Sequence, residues 1–201
     1  MSYALESKLP NNTWQLVSKW LSPYPCSVLL SRPRKTKIGD FRPARANKPT
    51  TITLNRDLAP YQMLLTLTHE IAHLINWSEN GRKVAAHGPE WRNNFSALLR
   101  ELSLIEDLDP QFKAAILNHA RKPRSSAMYD PALFRLLRQL EGDSTTLLAD
   151  IAIGSPFFFH GRAFTKESSA RSRCICRAHD NGAKYRIAKL APVSESLKIQ
   201  I

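Results

Sequence analysis

Thr68-His69-Glu70-Ile71-Ala72-His73 decides how this chain is read. The six residues carry an H-E-x-x-H motif inside a stretch, 59–77, with the pattern of a helix that tolerates Pro60 in its first turn. Residues four apart lie one turn apart on the same helix face, so His69 and His73 present two imidazoles to one point with Glu70 beside them. That is a metal-ligand spacing, with the glutamate placed to accept a proton from attacking water. Leu64, Leu67, Ile71 and Leu74 form one apolar row and Leu65, Ala72 and Ile75 another, so the helix is expected to be buried on most sides. Three titratable side chains on such a helix are costly unless they are paired or ligate a metal. The plainer alternative is a hydrogen-bonded histidine pair in the core beside a surface glutamate.

Downstream, a polar loop at 78–83 leads to His87-Gly88-Pro89-Glu90-Trp91. Pro89 is placed to open a helix, and Trp91, Phe95, Leu98, Leu99 and Leu102 give it an apolar face with a 3.6-residue period. His87 at the mouth of that helix suits a third metal ligand, leaving a fourth position for water. The alternative is a loop histidine that caps the helix.

Upstream, 26–31 and 50–55 read as strands, the second rich in β-branched residues. Between them, seven basic residues fall in 32–48 against a single acid, Asp40. This segment is expected to form a strand and hairpin beside the motif helix. Arg32, Arg34, Lys35, Lys37 and Arg42 suit a phosphate backbone, or they are a solvated edge strand kept apart by its charges. An edge strand next to such a helix is also where a substrate peptide would pair by β-addition.

The rest of the chain frames this region. Asn12 is expected to cap a helix through 21 whose Trp14 and Trp20 are core. Asp109-Pro110 and Asp130-Pro131 each read as an N-cap followed by a first-turn proline, on either side of a basic, Ser-rich loop at 120–128. From about 145 the pattern turns to strands: aromatic-rich 155–164, alternating 171–177, a hairpin signal at Asp180-Asn181-Gly182, and a return strand at 185–190. Phe157, Phe158 and Phe159 are either a small core or exposed aromatics on a basic sheet that also carries Arg171 and Arg173. Cys174 and Cys176 share a strand face but supply only half a metal site, which His160 and His179 would have to complete. No second, structural zinc is expected.

With 201 residues the chain suffices for one good core and a small appendage. Three cysteines make no disulfide framework, no apolar run approaches a membrane span, and no secretory leader is visible, so a cytoplasmic protein, nucleoid-associated or not, is expected. The net charge of +12 suits a partner with a phosphate backbone, or is simply a basic surface.

The pair His69-Glu70-Ile71-Ala72-His73 and His87-Gly88-Pro89-Glu90-Trp91 resembles the SprT-like (Spartan-related) metalloprotease family, which joins H-E-x-x-H to a downstream H-G-x-x-W. The segments 34–42, 52–55 and 118–126 are similar to bacterial, Bacteroidetes-type members. The resemblance implies one zinc per chain on His69, His73 and His87, Glu70 as catalytic base, and protein substrates bound or crosslinked to DNA, single-stranded or at a junction. The expected architecture is α+β: a compact zincin-like core over 1–144 and an antiparallel β appendage, a degenerate zinc ribbon, over 145–201. Two alternatives stand beside this protease: a zinc-stabilised nucleic-acid-binding protein without significant proteolysis, and a general cytoplasmic metallopeptidase.

Overall fold

The computed structural model describes residues 3–34, 37–125 and 130–195, and its chain divides into two compact units, Met1–Glu141 and Gly142–Ile201. Among the described residues the architecture is α+β, with six helices and two sheets.

In the first unit, α1 (Tyr3–Glu6) and α2 (Trp14–Leu21) precede β1 (Cys26–Ser31), β2 (Gly39–Arg42) and β3 (Thr50–Asn55). The sheet order is β1-β3-β2, with β1 parallel and β2 antiparallel to the central strand. Alternation along β3 turns Ile52 and Leu54, both fully buried, towards the helices. The long helix α3 (Pro60–Asn80) runs against β2 and β3, with Pro60 in its first turn and Gly81 at φ 59° just past its end. Of the apolar rows expected on α3, Leu64, Leu67 and Ile71 have no exposed surface, Leu65, Ala72 and Leu74 have almost none, and Ile75 is half-buried against the same core. Then come α4 (Pro89–Leu102), α5 (Pro110–Ala120) and α6 (Pro131–Leu140). The side chains of Asp109 and Asp130 accept the Phe112 and Leu133 amides, so both Asp-Pro pairs act as the caps they were expected to be.

Three local expectations change. Asn12 does not cap α2: Thr13 holds that position, while Asn12 has φ 61° and donates its amide to Asp107. The polar loop expected from 78 begins later, because Ser78, Glu79 and Asn80 complete the last turn of α3. Among the described residues of the 32–48 segment, only Gly39–Arg42 is a strand; Arg45 and Lys48 close a tight turn behind it.

In the second unit, β4 (Pro156–Phe159), β5 (Arg162–Ser169), β6 (Arg173–Ala178) and β7 (Lys184–Ala188) form an antiparallel sheet in sequence order. Asp180-Asn181-Gly182 turns β6 into β7, with Gly182 at φ 68°. One face carries Phe157, Phe164, Cys174, Cys176 and Ile187, packed against Leu148, Ile151, Ala191 and Val193. Lys166 is buried within this unit, where its ammonium donates to the carbonyls of Leu148 (3.0 Å), Ala149 (3.3 Å) and Ile151 (2.5 Å).

Candidate metal centre

One turn of α3 separates His69 from His73, and their Nε2 atoms lie 3.1 Å apart. His87, just before α4, brings its Nε2 to 3.0 Å from that of His73 and 3.4 Å from that of His69. Three such nitrogens cannot all be joined by hydrogen bonds, since the Nε2 of a neutral imidazole either donates or accepts and cannot do both. They fit a shared cation instead. Nitrogen ligands at the 2.0–2.1 Å of a tetrahedral zinc site lie about 3.3 Å from one another. His69, His73 and His87 are the group that could hold a metal ion among the described residues.

The histidines are kept neutral, which is the state a metal ligand needs. Burial depresses His69 to about 3, helped by the neighbouring His73 and His87. Burial and then His87 take His73 to about 4. His87 is also lowered, by burial and then by Arg92. Trp91 fixes the cluster from behind. It is fully buried, and its ring centroid lies 4.8, 5.4 and 4.7 Å from those of His69, His73 and His87. Its indole N–H has no hydrogen-bond partner among the described residues.

Glu70 leaves α3 next to the cluster and is only 6% exposed. Burial raises its carboxyl to about 7, and nearby Asp40 adds to the rise; the Phe41 amide, Arg34 and Lys37 oppose it. A carboxylate poised near neutrality is suited to take up a proton and give it back. The strand facing it is β2. Asn55 donates its amide to Ile38 O, and Asp40 pairs with Thr53, so antiparallel alternation turns the backbone groups of Gly39 and Phe41 away from β3. β2 is an edge strand, and the side that no strand pairs is the one beside Glu70, which the Phe41 amide meets.

The basic residues expected at a phosphate backbone have different surroundings. Arg32 is exposed. Arg34 is turned inward instead: Nε donates to Asn55 Oδ1 at 2.8 Å and Nη2 to Thr53 O at 3.1 Å, locking the end of β3. Lys37 and Arg42 both pair with Asp40, at 2.7 and 2.6 Å. Lys35 lies outside the described residues. Arg171 is exposed, and exposed Arg173 donates to Arg186 O. Strand alternation puts Arg173, Arg177, Lys184 and Arg186 together on the face of the second sheet opposite its core, where Glu167 pairs with Arg177 and Lys184.

Cys174 and Cys176 are buried in the second core and are not grouped with His160 or His179, whose Nε2 meets Thr165 Oγ1 at 2.8 Å. Sequence reasoning passed over three residues. Gly39 abuts Glu70, and its signal was a lone glycine inside a strand pattern. His119 is buried with Nδ1 2.8 Å from Asp130 Oδ2, and Lys166 is the buried ammonium of the second unit. Neither of these two has a local signal, because their partners lie 11 to 18 residues away.

Residues 17–105 match the sequence profile of the SprT-like family, a metalloprotease-related family associated with metal. No curated protein and no solved structure matches the chain. The matched stretch contains β1 to β3, α3, α4, the three histidines and Glu70. Residues 17–105, which hold the whole candidate site, are thus similar to the SprT-like family.

Proposed function

We propose that this chain is a zinc-dependent endopeptidase with a zincin-like core, and that it acts on proteins bound or crosslinked to DNA. The observation that carries the reading is the convergence of the three histidine Nε2 atoms within 3.0–3.4 Å beside a buried carboxylate. His69, His73 and His87 would hold the ion, and three protein ligands leave a position open to reactants. The chemistry that zinc supplies when bound is Lewis-acid polarisation of a carbonyl and acidification of water. Glu70 takes the proton of the water whose oxygen bonds to the scissile carbonyl carbon. It then delivers that proton to the amine nitrogen as the C–N bond breaks. The free side of β2 would receive the substrate as an added strand, which reads backbone more than side chains.

The DNA component rests on the net charge of +12 and on the cations gathered on the outer face of β6 and β7. The test is cleavage of an unstructured protein by wild type and Glu70→Gln, with zinc and with chelator, and then of one DNA-binding protein free and on DNA. Cleavage that needs both Glu70 and metal establishes the protease. A higher rate on DNA establishes the substrate class, and equal rates make this a general metallopeptidase. Metal binding with no cleavage would refute both parts.

A further inference from the structure

Gly39 is a glycine for reasons of space. Its φ is not in the left-handed region, so its backbone conformation is open to any residue. A Cβ on Gly39 would lie 2.5 Å from Glu70 Oε1, 3.1 Å from Glu70 Cδ and 2.7 Å from Thr66 Cγ2, where ordinary contact begins at 3.4 Å. Both neighbours belong to α3, so β2 meets the helix across a bare Cα at the carboxylate.

The two neighbours differ in how they can yield. Thr66 is β-branched, and its Oγ1 donates to Gln62 O at 2.7 Å, so its Cγ2 is held in place. Glu70 Oε1 ends a longer and freer side chain. Added bulk at 39 is therefore relieved first by moving the carboxylate, and only then by lifting the strand. We infer that Gly39 is a positioning residue for Glu70: β2 lies so close to α3 there that the carboxylate has one place to be. This rests on the protease reading for its catalytic consequence, though not for the contact itself. A displacement of about 1 Å at a reacting group costs on the order of 100-fold in rate.

The experiment is a pair of cycles on full-length protein. In the kinetic cycle, Gly39→Ala is expected to lower kcat about 100-fold with KM little changed and metal content kept. Added to Glu70→Gln, Gly39→Ala is expected to change the residual rate hardly at all, because its effect runs through the carboxylate. A further loss of that size in the Glu70→Gln background would overturn the inference. In the second cycle, metal-free protein is unfolded in urea as wild type, Gly39→Ala, Glu70→Ala and the double variant. The destabilisation by Gly39→Ala is expected to shrink in the Glu70→Ala background. Equal destabilisation in both would overturn the contact. Should Gly39→Ala fail to fold, Thr66→Ser in every variant removes the Cγ2 clash and leaves the contact with Glu70. If wild type cleaves nothing, the protease reading fails while the metal-free cycle still decides whether Gly39 holds Glu70.

Discussion

Glu70 is a carboxylate held where its charge is disfavoured, with a pKa near 7 set first by burial and then by Asp40. A charge buried this way weakens the fold that holds it. Glu70→Gln keeps the shape and removes the buried charge. Glu70→Gln is therefore expected to be at least as stable as wild type in urea when both are metal-free, to bind the same metal per chain, and to lose about 10²–10⁴ in any cleavage rate. A variant that instead lost its metal would make Glu70 a ligand. The opposite balance holds at Asp130, which caps α6 and accepts from buried His119. Burial raises its pKa, but the His119 and Leu133 hydrogen bonds and the charges of His119 and Arg124 outweigh this, so the net shift is downward. A carboxyl lowered in the folded state adds stability above its unfolded pKa of about 3.9 and loses it as pH falls through the folded value. Asp130→Asn keeps the cap oxygen and removes the charge. Wild type should exceed it by about 1–3 kcal/mol at pH 7 and pH 5, and the gap should close below pH 4. Urea titrations at each pH check this, and a gap unchanged at pH 2.5 would contradict it.

At the scale of elements, the site is a helix, a loop residue locked by the next helix, and an edge strand. The first two were legible. A period of 3.6 in α3 and α4, Pro60, Pro89 and the H-E-x-x-H spacing place His69, Glu70, His73 and His87 without long-range information. What was not legible depends on pairing. A strand beside the motif helix was expected of the 32–48 segment, but only the order β1-β3-β2 shows that it is β2 that lies at an edge. The basic run at 32–48 looked uniform along the chain, yet folding turned Arg34 onto Asn55 and paired Lys37 and Arg42 with Asp40. α4 reaches the site through Trp91. Trp91→Ala leaves a large cavity against all three imidazoles and is expected to cost about 3–5 kcal/mol and to weaken metal binding. Trp91→Phe loses no hydrogen bond and should lose less than half of that. Urea unfolding and metal titration of both variants measure the difference. β6 carries the thiols, and burial followed by Cys174 raises Cys176 to about 11. Cys174 and Cys176 should resist alkylation in the folded protein far longer than half-buried Cys26. Rapid labelling of either would contradict their place in the core.

At the scale of the whole molecule, the two units have separate cores: one contains α3 and α4, the other the inner face of β4 to β7 with the segments covering it. No helix among the described residues is long and apolar enough to cross a membrane. The second core is small, and a small core leans on individual polar contacts more than a large one does. Lys166 is the strongest of these, since one buried ammonium satisfies three carbonyls of the segment that covers Phe157 and Phe164. Lys166→Met keeps most of the apolar stem and leaves those carbonyls without a donor, each at about 1–3 kcal/mol. The loss of the ammonium's own desolvation cost offsets part of this. The expected result is that amides in 148–194 lose hydrogen-exchange protection while those of α3 keep theirs, with the metal content unchanged. Equal loss of protection in α3 would mean that the two cores unfold as one, and that the appendage supports the site it does not contain.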